Sequence, residues 1–190
     1  GEYELVNDID LADFDTQAMI DKLGLEEQMF NRYSTDLSRI EFSTMQEGDF
    51  PPITPYYDKY DNKSISLNGN NHIIKNFSFH NSNIDYIGLF TDLGGRYISI
   101  SGENGHYPEF QIKNLHLKNI EIVGEDGVSG LVGYLLAGAQ IDKPHIKNVH
   151  IEGTLNTKFG AVGGLVGYGY GEYTEPYTDI YEWDHSIIGR

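Results

Sequence analysis

The feature that most constrains this chain is an internal repeat. Two short elements recur in the same order, a hydrophobic-Lys-Asn element and then a glycine-rich element. The first stands at 74–79 (IKNFSF), 112–117 (IKNLHL) and 146–151 (IKNVHI). The second stands at 88–90 (GLF), 130–133 (GLVG) and 164–167 (GLVG). A repeat of this kind indicates units that cannot close a core alone and that bury one by stacking on their neighbours.

The pattern inside each unit predicts β-strands. Apolar residues alternate with polar ones, as in Phe77 and Phe79, and helical periodicity is absent across 64–171. We therefore predict an all-β fold, a β-solenoid, with a right-handed parallel β-helix as the preferred form. A β-sandwich is the alternative, because isolated strands look the same locally. Between the first two copies the two elements are spaced differently, which predicts a loop insertion near residues 101–111.

Charge and glycine divide the chain into two regions. Acidic residues are concentrated in residues 1–63, whereas most of the glycines lie in 64–171. The first region is predicted to be a cap for the open end of the solenoid. Its predicted parts are an opening strand over 3–11, a helix over 16–30 with Asp15 or Thr16 as N-cap, and a proline-rich loop over 49–60. Residues 64–190 are predicted to be the repeats, with the chain stopping inside a fourth copy at 185–189.

Stacked units place equivalent residues above one another at the inter-strand spacing of about 4.7–4.9 Å. Asparagine tolerates the left-handed backbone conformation of a corner, and its amide can bond the amide above it. The predicted corner column is Asn76, Asn114 and Asn148. A neighbouring outward column is predicted from Lys75, Lys113 and Lys147. The glycines expected to repeat structurally are Gly88, Gly130, Gly133, Gly164 and Gly167.

Three groups of residues are candidates for function. The lysine column is interpreted mainly as solvated side chains, with an anionic glycan as the alternative ligand. His116 and His150 share a repeat position and are expected to stack, but the sequence gives no third metal ligand, so no metal site is predicted. Tyrosine and tryptophan offer flat amphipathic surface for glycans or proteins. The aromatic candidates are Tyr134 and Tyr168, which should stack, and Tyr170, Tyr173, Tyr177, Tyr181 and Trp183 in the tail. That tail is preferentially interpreted as cover for the flank of the solenoid.

Several functions are disfavoured by composition. The chain has no cysteine, which excludes disulfides and thiol chemistry. Its formal net charge of −16 argues against nucleic acid and anionic membranes. It lacks an apolar run long enough to span a bilayer, and its start is unlike a signal peptide. Zinc-peptidase, phosphate-loop, nucleophile-elbow and EF-hand motifs are absent. Asp8 and Asp10 could at most hold an adventitious Ca²⁺.

The repeated elements resemble the GLUG motif family of bacterial surface and secreted proteins. The LNGNNHII stretch at 67–74 and the YELVNDIDL stretch at 3–11 are similar to segments that accompany such repeats. The resemblance covers about 1–11 and 64–189, and Thr91 departs from it where a glycine is expected. It implies an adhesin, or the non-catalytic region of an immunoglobulin-cleaving metallopeptidase.

From these observations we expect a non-catalytic β-solenoid segment, secreted or on the bacterial cell surface, that acts as a rigid spacer and adhesion module. The expected partners are a host glycan or extracellular protein and further repeats or domains of the same chain, with no cofactor. The alternatives are an accessory domain of a secreted metallopeptidase whose catalytic site lies elsewhere, and a polysaccharide-cleaving β-helix enzyme.

Overall fold

A computed structural model describes residues 2–23, 28–30, 39–41, 45–53, 65–93, 110–137 and 146–171 of the chain. These residues are mostly β, with one helix, α1 (Thr16–Leu23). The strands are β1 (Glu2–Glu4), β2 (Ile9–Asp10), β3 (Gln28–Phe30), β4 (Arg39–Glu41), β5 (Ile65–Asn68), β6 (Ile73–Lys75), β7 (Ser78–His80), β8 (Phe90–Leu93), β9 (Phe110–Gly124), β10 (Val128–Ser129), β11 (Val132–Ala137), β12 (Ile146–Thr157), β13 (Val162–Gly163) and β14 (Val166–Gly171). None of the helical structure in the described ranges is long and apolar enough to cross a membrane.

The sheets are parallel, and successive segments of the chain lie side by side in them. We call these segments passes. The passes comprise residues 2–11 with 45–53 (first), 65–93 (second), 110–137 (third) and 146–171 (fourth). One sheet runs β1-β5-β9-β6-β2, with β12 and β7 also paired to β9. A second sheet has the order β14-β11-β8, and β10 pairs with β13. Among the described strands the antiparallel pair is β3 with β4. Each pass thus lies beside the next in the same direction.

The glycine elements lie in register across three passes, as the repeat predicts. Phe90 of the second pass pairs with Val132 of the third, which pairs with Val166 of the fourth. Thr91, which replaces the expected glycine, is fully buried at the corresponding place. The number of residues that separates this element in the second pass from its copy in the third is therefore the one predicted from the repeat.

The hydrophobic-Lys-Asn elements do not all align as predicted. Residues 146–151 lie beside 112–117, as expected. Residues 74–79 lie instead beside 117–122, so the predicted alignment of 74–79 with 112–117 is wrong. The reason is that the third pass contains two overlapping copies of the pattern, because LKNIEI at 117–122 matches it as well.

The corrected register also changes the spacing of the repeat and shows a local irregularity at one corner. Asn68 pairs with Lys113 and Ile73 pairs with His116, so four residues of the second pass face two of the third at this corner. In the corrected register Ile74 and its partner Leu117 are 43 residues apart, and Phe90 and its partner Val132 are 42 apart, so the different spacing of the two elements came from the wrong alignment. The insertion near 101–111 stays a prediction. Residues 101–109 lie outside the described part of the chain.

Asparagines occupy two separate corner columns. Asn114 and Asn148 have φ of 54° and 53°, and the Asn148 amide donates to the Asn114 oxygen at 2.9 Å. Asn114 in turn donates to the side-chain oxygen of Asn68 at 3.1 Å. Asn76 belongs to another corner, where the Asn119 amide donates to the Asn76 oxygen at 2.6 Å. The predicted single column of Asn76, Asn114 and Asn148 is therefore wrong, although each member has the predicted left-handed backbone.

The hydrophobic core lies between the sheets of the second and third passes. Its side chains come from the inward positions of strands and from the corners, where burial removes apolar surface from water. The largest fully buried side chains are Phe77, Phe79, Ile84, Ile87, Leu93, Ile112, Leu115, Leu117, Ile120, Ile122 and Leu131. In the fourth pass Val149 is 7 % exposed, and Ile151 and Leu165 pack partly buried against the core.

The N-terminal region differs from its prediction in two elements. The opening strand over 3–11 is two short strands, β1 and β2. Of the helix predicted over 16–30, Thr16–Leu23 are helical, whereas residues 28–30 form β3, whose backbone pairs with β4. The predicted N-cap is confirmed, since the Asp15 carboxylate accepts from the Ala18 amide at 2.7 Å. Of the predicted loop, residues 49–53 are described, and Ile53 forms a parallel bridge with Phe90.

Helix α1 and the residues just before it contact the first pass through one buried hydrogen bond and through aromatic packing. The Thr16 hydroxyl donates to the backbone oxygen of Asp49 at 2.8 Å. Phe14 meets Phe50 edge-on at 4.9 Å between ring centroids, and Phe50 meets the core residue Phe77 at 6.0 Å. The edge-to-face geometry is the favoured one for aromatic pairs. These aromatic contacts therefore connect the first pass to the hydrophobic core.

Candidate functional site

Three tyrosines from three passes form a cluster, two on strands β11 and β14 and one in the segment before β8. Tyr134 pairs in register with Tyr168, and their rings stack with centroids 5.4 Å apart and planes 18° apart. This confirms the predicted stacking of the two side chains. Tyr86 adds a third ring, 5.1 Å from Tyr134 and 5.9 Å from Tyr168. We call Tyr86, Tyr134 and Tyr168 the tyrosine cluster.

The backbone around Tyr86 is shaped for this contact. Tyr86 has φ of 59°, which is uncommon for an aromatic residue. A Cβ at Gly133 would lie 2.0 Å from the carbonyl carbon of Tyr86. The glycine therefore permits an approach of two backbones that any other residue would block. Sequence analysis missed Tyr86 because it lies outside both repeated elements, and the glycine at position 133 was the available signal of a close approach.

Three carboxylates lie near the tyrosine cluster. Burial raises the pKa of Asp85, and the charges of Glu125 and Asp126 raise it further. Burial likewise raises the pKa of the Tyr86 hydroxyl, with smaller contributions from Asp85 and Asp126. Asp126 also accepts hydrogen bonds from the backbone amides of Gly127 and Ala161, at 2.6 and 2.7 Å. The cluster therefore lies beside a region of negative potential.

The fourth pass carries two exposed aromatic residues, Tyr168 and Phe159. Tyr168 is 45 % exposed, while Tyr86 and Tyr134 are half-buried. Phe159 is 61 % exposed, and its amide donates to the backbone oxygen of Glu125 at 2.8 Å. Aromatic surface and carboxylates thus adjoin one another within the third and fourth passes.

The other predicted aromatic residues fall at the edge of the described chain or beyond it. Tyr170 lies in β14, in register with Leu136. Tyr173, Tyr177, Tyr181 and Trp183 lie outside the described residues. The predicted glycines follow the register of their element. Gly88, Gly130 and Gly164 precede the paired residues of β8, β11 and β14, and Gly133 and Gly167 lie within β11 and β14.

The predicted lysine column is broken. Lys113 and Lys147 are in register, but Lys75 pairs with Lys118 instead, so the column of Lys75, Lys113 and Lys147 is wrong. Lys75 also forms an ion pair with Asp10 of the first pass, with Nζ 2.9 Å from Oδ2. Hydrogen bonds from Lys75 and then Asn76 hold the pKa of Asp10 down, to about 2. A continuous basic stripe therefore does not form, and Asp10 is occupied by protein partners.

The two predicted histidines meet as expected and acquire a third group. His116 and His150 are in register, and their rings lie 4.7 Å apart, edge to face. Glu152 follows two residues after His150, on the same face of β12. Its Oε1 lies 3.1 Å from Nε2 of His116 and 3.0 Å from Nε2 of His150. Hydrogen bonds from His150 chiefly, and also from His116, lower the pKa of the Glu152 carboxyl.

A third histidine, His80, lies between two carboxylates of the protein. The Asp49 carboxylate is 1 % exposed and lies 2.8 Å from Nδ1 of His80, while Glu121 lies 3.5 Å from the opposite ring nitrogen. Burial lowers the pKa of His80, but the hydrogen bonds and charges of Asp49 and Glu121 outweigh it, so the net pKa is raised. Asp49 also accepts from the amide of Gln46 within the first pass, at 3.0 Å, and its contact with His80 joins the first pass to the second.

Comparison with known proteins gives no match to a family model, to a curated protein or to a solved structure.

Proposed function

We propose that this chain is a non-catalytic β-solenoid segment, in the form of a right-handed parallel β-helix, of a bacterial surface or secreted protein. In this proposal it serves as a rigid spacer and as an adhesion module. The parallel pairing of four passes supports the solenoid, because each pass extends the sheets laid down by the previous one. The amide ladders at the corners support stiffness, since they link neighbouring passes through side chains as well as through the backbone.

The observation that carries the adhesion function is the tyrosine cluster. Stacking on Tyr134 holds the Tyr168 ring in place while 45 % of the residue faces solvent. An aromatic ring that is ordered before binding loses little conformational entropy when a ligand docks on it. Flat rings with a polar tip suit the apolar faces and hydroxyls of sugars. We therefore infer that a glycan is the ligand.

The charge around the cluster indicates which glycans fit. Asp85, Glu125 and Asp126 are hydrogen-bond acceptors for sugar hydroxyls, and they repel anionic groups. Lys75, the residue that would extend a basic stripe, is engaged by Asp10. We infer that the preferred ligand is a neutral glycan and that sialylated or sulfated glycans bind more weakly.

The test is a glycan array with the full chain, in which the wild type is compared with Tyr168→Ala. The matched control is Tyr3→Ala, because Tyr3 is 64 % exposed but lies on β1, in the other sheet. We expect Tyr168→Ala to weaken binding about tenfold or more, the loss typical of an aromatic contact at an interface centre. Tyr3→Ala should leave the array profile unchanged.

Other results would replace this proposal. Equal binding by Tyr168→Ala and the wild type would show that the tyrosine cluster is not the ligand site. Binding confined to anionic glycans would contradict the role of the carboxylates, and binding to host proteins without glycans would transfer the adhesion function to a protein partner. Release of reducing sugars from a polysaccharide panel would instead favour the polysaccharide-cleaving alternative.

A further inference from the structure

We propose that His116, His150 and Glu152 form a binding site for a divalent transition metal of the Zn²⁺ type. The site lies on β9 and β12, on a different sheet from the tyrosine cluster, and does not depend on the function proposed above. It joins the third pass of the chain to the fourth. We call these three residues the histidine-glutamate site.

The strand geometry brings the three side chains together. Parallel pairing sets His116 directly beside His150. Residues two apart on a strand share a face, which places Glu152 next to His150. One ligand atom from each of the three residues lies within 4.8 Å of the other two. The site is thus formed by backbone register, not by a loop.

The distances suit a single ion. Metal–ligand bonds of about 2.0–2.2 Å place neighbouring ligand atoms roughly 3.0–3.5 Å apart. The carboxylate oxygen Oε1 already lies at 3.1 and 3.0 Å from the two Nε2 atoms. All three side chains are partly exposed, so small side-chain rotations can bring the two imidazole nitrogens to the separation that an ion requires. Both imidazoles must carry their proton on Nδ1, so that the Nε2 lone pairs face the ion.

The donor set determines the metal class. Two imidazoles and one carboxylate suit Zn²⁺, Ni²⁺ and Cu²⁺, whereas Ca²⁺ and Mg²⁺ prefer oxygen ligands alone. Three protein ligands leave at least one coordination position for water or for an external group. Lys118 pairs in register with Glu152, and its positive charge near the carboxylate opposes the binding of a cation. Removing that charge should therefore strengthen metal binding.

The other described histidines with carboxylate partners are arranged differently. His72 contacts one carboxylate, that of Asp8, with Nδ1 3.0 Å from Oδ1. His80 contacts two carboxylates, but through opposite ring nitrogens, so they cannot share an ion with it. His72 therefore serves as a matched control, since it is a histidine beside an acid without a second imidazole.

The experiment is a titration of the full metal-free chain with Zn²⁺ alone, measured by calorimetry, together with Co²⁺ titration followed by visible absorption. We expect His116→Ala, His150→Ala and Glu152→Gln each to weaken one equivalent of binding by about tenfold or more. His72→Ala should bind within about twofold of the wild type, and Lys118→Ala should bind more tightly. Zn²⁺ should also raise the melting temperature of the wild type, because a ligand that binds only the folded chain stabilises it.

Two results would overturn the proposal. In the first, the wild type binds Zn²⁺ no more tightly than the double variant His116→Ala with His150→Ala, while circular dichroism shows that both are folded. In the second, His72→Ala loses as much binding as His150→Ala, which would assign the metal to other histidines of the chain. Glu152→Gln keeps the side-chain shape, so its effect on Zn²⁺ affinity is separable from any effect on folding.

Discussion

Asn114 makes side-chain hydrogen bonds and also has a left-handed backbone, and two substitutions separate the contributions of these properties to stability. Its amide oxygen accepts from Asn148 at 2.9 Å and its nitrogen donates to Asn68 at 3.1 Å, while its φ is 54°. Each hydrogen bond contributes about 0.5–1.5 kcal/mol net. An alanine in the left-handed region costs about 1–2 kcal/mol more. We therefore expect Asn114→Ala to lower the free energy of unfolding by roughly 2–5 kcal/mol.

Asn114→Gly removes the same hydrogen bonds but adopts this φ without strain. The greater freedom of glycine in the unfolded chain costs about 0.5–1 kcal/mol of stability, which offsets part of the stability gained by avoiding the backbone strain of alanine. The glycine variant should still be more stable than the alanine variant, by about 0.5–1 kcal/mol. Urea denaturation followed by circular dichroism measures both values. The control is Asn156→Ala, an exposed asparagine of β12 without a left-handed backbone, which should change stability by less than about 0.5 kcal/mol.

Two outcomes would refute this reasoning. If Asn114→Gly is as destabilising as Asn114→Ala or more so, the left-handed corner is not what selects asparagine. If Asn114→Ala stays within about 0.5 kcal/mol of the wild type, the amide ladder does not stabilise the fold.

Three further predictions concern the core, a close approach and pH. Leu117→Ala should cost about 2–5 kcal/mol of unfolding free energy, because the side chain is fully buried; a loss typical of a surface site would contradict its place in the core. Gly133→Ala should abolish or severely reduce folding, seen by circular dichroism, because a Cβ would collide with Tyr86; wild-type stability would contradict the approach. Folding raises the pKa of His80, so the stability it contributes is complete below its unfolded pKa, about 6.5, and is lost as pH rises through the folded value. The urea midpoint of the wild type should exceed that of His80→Gln by more at about pH 6 than at pH 8, and an equal difference at both would contradict the raised pKa.

Sequence predicts this chain well where a pattern is unique. The glycine element occurs once in each of the second, third and fourth passes, so its register and the stacking of Tyr134 on Tyr168 follow from it. The hydrophobic-Lys-Asn pattern occurs twice in the third pass, at 112–117 and 117–122. The sequence alone does not determine which of the two copies pairs with the second pass. The choice depends on Ile74 and Phe79 reaching inward positions beside Leu117 and Ile122, which is a property of packing.

The site residues that sequence analysis missed share a physical cause. Glu152 has no counterpart in the repeat, because Lys118 stands at the equivalent place in the third pass. Its role depends on two imidazoles that come from different passes. Tyr86 lies between repeated elements and is aimed by a left-handed backbone. In the N-terminal region, pairing of β3 with β4 overrides the helical pattern, as tertiary contacts commonly override propensity.

Disulfide trapping tests the parallel register most directly, because the natural chain has no cysteine to interfere. Neighbouring strands about 4.7–4.9 Å apart are within the Cα separation that a disulfide accepts. We predict that Lys113→Cys with Lys147→Cys, and Lys75→Cys with Lys118→Cys, will each crosslink within the folded monomer on mild oxidation. Lys75→Cys with Lys113→Cys should remain reduced. Efficient crosslinking of this last pair, with failure of the pair at 75 and 118, would contradict the stacking of the passes described above.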